Sequence, residues 1–438
     1  MSLRPYHALR HREFRRLWLS QLVSQTGSQM QSVALHWHVY LLTGSPLALG
    51  FVGLTRALPT ILFSLWGGVV ADRRDRRAVM LAAQSVMAVG ALALAGLTVA
   101  HRETLLALYL LNALGAAAGA FDNPSRQALI PRLVPVADLP GALALNLAMF
   151  QSALIAGPAL SGLLIAGGAG GLFAGPSSHA AGAAVAGAAG GTGALALIYG
   201  LNALSFLGVL GVLATLTTSG KVEAPAGPRE SSMAALREGL RFVFTTPIMV
   251  WTTALDFVAT FFAGSMSLLP IVADQVLHVG PAGYGVLVAA PATGALLGAV
   301  YTSTRPLPAR QGRLLLASVA AYGLATVAFG LSRGYVLTLM ALAAVGLADL
   351  VSTVIRQTLR QLITPDRLRG RMTSVNMIFF IGGPQLGEVE AGFVASLFAT
   401  AATGATVSIV SGGLATLLAV AVVAAVTPAV RGYVQPSA

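Results

Sequence analysis

The chain has 438 residues, with 27 basic against 15 acidic side chains, a net charge of +12 and no cysteine. Charged residues make up only 10% of it and hydrophobic ones 56%, where a soluble globular domain has about a quarter charged residues. That composition excludes a soluble nucleic-acid binder despite the basic balance, and the missing thiols exclude a disulfide framework, a thiolate metal site and a cysteine nucleophile.

Apolar runs predict where the chain goes instead. In order they cover Phe14 to Leu42, Pro46 to Ala71, Ala78 to Ala100, Leu105 to Ile130, Leu139 to Ala166 and Ala194 to Thr218. A second set covers Pro247 to Val272, Ala282 to Thr302, Leu314 to Leu331, Tyr335 to Leu362, Met372 to Phe398 and Thr403 to Val426. A helix rises about 1.5 Å per residue, so runs of this length cross a hydrocarbon core of about 30 Å with some tilt. They are too long, and lack the alternation, for strands of a membrane barrel. The first run is also too long for a secretory signal and has no clean cleavage site, so it reads as a retained helix.

With both termini cytoplasmic, 24 of the 27 basic residues fall on the cytoplasmic side; only Arg102 and Arg333 fall outside, and Arg56 lies within a span. This positive-inside bias places the dense cluster Asp72 to Arg77, between the second and third spans, in the cytoplasm.

The spans repeat. Arg126 and Arg356, Gln127 and Gln357, Leu129 and Leu359, Pro135 and Pro365, and Asn146 and Asn376 match at an offset of 230; Gly53 to Pro59 resembles Gly285 to Pro291 at an offset of 232. Six spans separate the copies, so both halves enter the membrane from the same side, a parallel repeat. The expectation is an all-α membrane protein of twelve transmembrane helices in two pseudo-symmetric six-helix bundles. Residues 1–218 form one bundle and 247–438 the other, joined by a cytoplasmic linker over 219–246 with a short amphipathic helix near Met233 to Val243. The Gly/Ala-rich stretch Gly167 to Gly193 reads as a mobile external loop.

Two motifs add a family. Gly68, Asp72, Arg73, Arg76 and Arg77 match a loop pattern G-x-x-x-D-R-x-G-R-R, departing at Asp75, where the pattern has glycine. Ala153, Gly157, Pro158, Ser161 and Gly162 are similar to the antiporter pattern G-x-x-x-G-P-x-x-G-G of helix five, while the arginine of many drug antiporters is missing from Tyr109 to Phe121. With twelve spans in two halves, the chain resembles the major facilitator superfamily. Arg369, Gly370, Arg371 and Asn376 make it most similar to the branch of enterobactin exporters and macrolide efflux proteins.

The resemblance implies a latch in which Asp72 meets the start of helix eleven, near Arg369 and Arg371. A carboxylate facing a helix N-terminus and arginines gains up to about 2 kcal/mol. A pure topology signal explains the arginines equally, though not Asp72. Gly157, Pro158, Ser161 and Gly162 serve either a hinge between the halves or a packing kink, with Gly383 to Glu388 as their repeat mate.

Ionisable groups at membrane depth usually face a cavity or a partner. Arg56, Asp256, Asp349, Glu388 and Glu390 are therefore the candidates for the substrate and proton pathway, with a structural ion pair or snorkelling as the alternative. Asp122 is expected to pair locally with Arg126, and His36 and His38 to sit in an outer aromatic belt. No nucleotide-binding loop or metal-ligand spacing occurs, so neither cofactor nor metal is expected, nor an enzyme.

These readings converge on a monomeric exporter of a medium-sized, partly apolar molecule, such as a siderophore, macrolide or other drug, across the cytoplasmic membrane by proton antiport and alternating access. A proton-coupled importer of a small metabolite is the alternative. The expected partners are the small molecule, protons and the lipid bilayer, not nucleic acid.

Overall fold

The computed structural model describes residues 5–171, 183–218, 220, 238, 241–304, 308, 310–365 and 369–434. Among these no strand occurs, as expected of backbone that must satisfy its own polar groups in lipid. The long helices are α1 (Arg12–Thr43), α2 (Pro46–Arg73), α3 (Arg76–Val99), α4 (Leu105–Leu133), α5 (Leu139–Gly171) and α6 (Ala183–Thr215). They continue with α7 (Pro247–Phe262), α8 (Gly280–Thr304), α9 (Gln311–Leu331), α10 (Tyr335–Ile363), α11 (Arg369–Ser396) and α12 (Ala401–Val426). Over the described residues, ten segments are long and apolar enough to cross a membrane. Helices α1 and α11 are not among them; in α1, Gln21, Ser24, Gln25, Gln29 and Gln31 lower the mean hydropathy.

The repeat is visible in the packing. Helix α3 packs on α4 and α6, and α1 on α5; α9 packs on α10 and α12, and α7 on α11. Together these make two pseudo-symmetric six-helix bundles. Phe14, Leu17, Met80, Leu129 and Leu213 share one core of the first; Leu255, Leu315, Val319, Ile355 and Val420 share one of the second. By contacts, the chain divides into Met1–Thr43, Thr55–Pro225 and Gly280–Ala289 as one unit, and Gly44–Leu54, Ala226–Val279 and Ala290–Ala438 as the other.

Two local features differ from expectation. The seventh span is not continuous: α7 ends at Phe262, and a 3-10 turn (Ser265–Leu268), a short α turn (Leu269–Ile271) and a π turn (Val272–Val276) follow. The break holds Gly264, where a methyl group would stand 2.9 Å from the Gly387 Cα of α11, so close seating of α11 accompanies the interruption. The Gly/Ala-rich stretch is partly helical, because α5 runs to Gly171 and α6 starts at Ala183. Alanine's high helix propensity accounts for the extension. Residues 172–182 lie outside the described residues, as does most of the expected linker helix near Met233 to Val243, of which 238 and 241–243 are seen as helical, the helix running on to 245.

Candidate functional site

In the loop between α2 and α3, Asp75 takes φ −59° and ψ 114° and caps α3, accepting from the backbone N–H of Arg77 at 2.9 Å and of Ala78 at 3.4 Å. No left-handed residue is needed, which explains how an aspartate stands where the family pattern has glycine. The arginines are used as clamps. Arg76 Nη1 donates to the Ala128 carbonyl of α4 at 2.9 Å. Arg77 donates from Nη1 to Leu216 O and from Nη2 to Ala214 O, both at 2.7 Å, satisfying carbonyls that the end of α6 leaves open. Gly220 lies against this turn, its carbonyl accepting from the Arg76 N–H at 3.1 Å. Gly68 lies on an open face of α2. The side chains of Asp72, Arg73, Arg369 and Arg371, and with them the expected latch, lie outside the described residues.

The helix-five motif works on two sides of α5. A Cβ at Gly157 would stand 3.0 Å from Thr26 O of α1, and Ser161 Oγ donates to Met30 O at 3.2 Å, so α1 is drawn in on one side. On the other, a Cβ at Gly162 would stand 2.7 Å from the Gly285 Cα of α8, and a Cβ at Gly285 would in turn meet the Pro158 carbonyl. Trp37 stacks on Tyr284 with ring centroids 5.3 Å apart. Small residues here let backbones approach closely. The mate on α11 repeats the plan: a Cβ at Gly50 of α2 would stand 3.2 Å from Gly392 Cα, and one at Gly53 would meet a Glu388 carboxylate oxygen. At the register of Gly162 the second copy carries Gly392, and Glu388 stands at the register of Pro158.

The membrane-depth ionisable residues divide sharply. Asp256 of α7 is buried, and its Oδ1 lies 2.7 Å from Arg356 Nη2 of α10. Arg360 Nη2 lies 3.8 Å from the other carboxylate oxygen of Asp256. The same Arg356 nitrogen lies 3.9 Å from Asp349 Oδ1. Arg356 also donates to Ser352 Oγ at 2.5 Å and Thr353 Oγ1 at 2.9 Å. Helical spacing explains the set, since residues 349, 352, 353, 356 and 360 recur at three and four along α10. Asp256, Tyr322, Asp349, Ser352 and Arg356 line a cavity of about 10 Å³, close to what one water needs. Arg56 is exposed on α2; Glu388 and Glu390 are half-buried on α11, apart from this cluster.

Asp122 accepts from Gln84 Nε2 at 2.9 Å and lies 3.7 Å from Arg126 Nε, the local pair expected within α4. His38 departs from the aromatic-belt expectation: it is buried, its Nδ1 lies 3.1 Å from the Tyr199 hydroxyl, and its Nε2 lies 3.9 Å from Glu103. Its polar partners are 161 and 65 residues away in sequence, and only its span position was legible beforehand.

The family model for transmembrane secretion effectors matches residues 3–176 and 177–432. Enterobactin exporter EntS of Shigella boydii serotype 18 is 25% identical over 393 residues, covering 90% of this chain and 88% of that protein. EntS of Escherichia coli O139:H28 matches with the same identity and coverage. Among solved structures, a bacterial homologue of the human lysosomal transporter Spinster, inward-facing and unoccupied, has a TM-score of 0.74 at 16% identity, covering 97% of this chain and 98% of that one. A point mutant of the nucleoside transporter NupG has a TM-score of 0.70 at 12% identity, covering 95% of this chain and 100% of that one. With its helices in two repeated bundles and a family match along nearly its whole length, the chain belongs to the transmembrane secretion effector family of the major facilitator superfamily and is a multi-pass membrane transporter.

Proposed function

We propose that this transporter exports a medium-sized, partly apolar small molecule, a siderophore, macrolide or other drug, across the cytoplasmic membrane in exchange for protons, by alternating access. Similarity to enterobactin exporters over 90% of the chain supports the direction and the class of cargo. The observation that carries proton coupling is the Asp256, Arg356, Arg360 and Asp349 cluster on membrane-spanning helices. Charges at that depth are costly and are typical of ion and substrate pathways. Arg56, Glu388 and Glu390 complete the proposed pathway, and Gly157, Pro158, Ser161 and Gly162 the proposed hinge. The partners are the cargo, protons and lipid, the protein acts as a monomer without a nucleic-acid ligand, and both termini are cytoplasmic.

The test is flux in proteoliposomes under an imposed pH gradient, screening catecholate siderophores and macrolides. Gradient-driven movement of a cargo against its own gradient, abolished by a protonophore, is expected. Cargo moving with the proton rather than against it would replace export by import, and absence of gradient-dependent flux for every compound would overturn the reading. Because the chain has no cysteine, single introduced cysteines at either terminus report its side directly.

A further inference from the structure

The second repeat carries an acid that the duplicated fold does not require. At the offset of 230 that aligns Arg126 with Arg356, Asp349 corresponds to Gly119. A Cβ at Gly119 would have open space around it, so neither copy of the helix needs a charge there for packing. We propose that Asp349 is the group that binds and releases the coupling proton, and that Arg356 transmits its charge state to Asp256 on α7. This rests on the proton-coupled reading above and names its carrier.

Exposure separates the two acids. The Asp349 side chain is 47% exposed and that of Asp256 only 8%. A carboxylate at membrane depth is tolerated where water reaches it, not against hydrocarbon. The cavity beside Asp349, lined also by Thr260 and Tyr322, has room for about one water through which a proton can pass. Asp256 is held from two sides, by Arg356 and Arg360. Asp349 has only the longer 3.9 Å contact with Arg356, which leaves it the less tightly held of the two acids.

One nitrogen faces both acids. Arg356 Nη2 lies 2.7 Å from Asp256 and 3.9 Å from Asp349. With Asp349 ionised, the guanidinium is attracted to two carboxylates in different directions. When a proton moves from water onto an Asp349 carboxylate oxygen, that acid becomes neutral and the cation is left wholly to Asp256. The link between α10 and α7 tightens; release of the proton to water loosens it. Among the described residues, the groups facing the cluster besides the two acids are Tyr322 from α9 and Arg356 and Arg360 from α10. Helix α12, which packs on α9, contains no ionisable side chain.

The test needs no cargo. Acid-minus-alkaline infrared difference spectra of the purified protein in proteoliposomes should show a protonated-carboxyl band that disappears in Asp349→Asn, returns in Asp349→Glu, and survives Asp256→Asn. Arg356→Gln should raise the proton affinity read from that band by about tenfold, since a neighbouring cation favours the carboxylate. A band that persists in Asp349→Asn, or one whose midpoint does not move in Arg356→Gln, overturns the proposal. If the band behaves as expected but no cargo flux follows the pH gradient, the export reading fails and the proton site stands. If flux follows the gradient while the band ignores Asp349→Asn, the reverse holds.

Discussion

Arg126 and Arg356 occupy the same place in the two repeats, yet they hold different things together. Arg126 pairs within its own helix, with Asp122 one turn away at 3.7 Å, and its buried Nε and Nη1 have no hydrogen-bond partner among the described residues. Arg356 reaches across to α7 at 2.7 Å and donates to Ser352 and Thr353 as well. The residues aligned with Asp122 and Asn123 are Ser352 and Thr353. Both repeats carry the guanidinium, but where the first has a carboxylate one turn before it the second has a hydroxyl, and the short ion pair of Arg356 is with an acid on another helix. A local helix pair in one bundle is thus an interhelical tie in the other.

The comparison is broken most severely at that tie. Arg356→Met leaves the buried Asp256 with only the more distant Arg360 and is expected to cost about 3–5 kcal/mol. Arg126→Met should cost about 1–3 kcal/mol, because Asp122 keeps its hydrogen bond from Gln84. Equilibrium denaturation in one detergent measures both, and equal losses would erase the proposed distinction. The double variant Asp256→Leu with Arg356→Met should recover much of the single loss, since replacing a whole buried pair is often neutral.

The crossing of α5 with α8 gives the next effect. Gly162→Ala forces a methyl group to 2.7 Å from Gly285 Cα, an overpacking expected to cost about 1–3 kcal/mol. Gly392→Ala, the matching change at the second crossing, should cost a similar amount by the same measurement, because its Cβ would stand 3.0 Å from Gly50 Cα. At the α2–α3 turn, Asp75→Ala should lose about 1 kcal/mol, whereas Asp75→Gly, the family's residue, should lose only a few tenths. A larger loss for glycine would mean that the turn needs more than a cap.

The smallest effect sharpens the first bundle alone. Glu13 precedes the apolar run of α1 and accepts from the backbone N–H and hydroxyl of both Thr217 and Thr218. Burial would raise its pKa, but these hydrogen bonds outweigh that and bring it from 4.5 down to about 2. The folded value lies below the unfolded one, so the stabilisation is present above about pH 4.5 and lost as pH falls towards about 2. Wild type should therefore lose stability relative to Glu13→Gln across that window, by a modest amount because the site is partly exposed.

Much of the architecture was legible beforehand because its signals are local or periodic. Apolar run length marks helices, the offset of 230 marks duplication, and Asp122 with Arg126 follows from helical spacing. What was not legible depends on distant residues. Asp256 and Arg356 are separated by 100 positions, and nothing in either segment names the other. Gly264 reads as an ordinary small residue in an apolar run until Gly387 is seen against it. The arginines of the loop announced a membrane side, but their use as clamps on α4 and α6 required the fold.

Those clamps have a mechanical consequence. Arg77 grips the last carbonyls of α6, Gly220 rests on the Asp75 turn, and Thr217 with Thr218 is bound to Glu13. A pull on the polypeptide leaving the first bundle meets hydrogen bonds from two separate helix ends, loaded in shear, before it can fray α6. The chain is therefore held against the first bundle as far as Gly220, beyond the end of the apolar run.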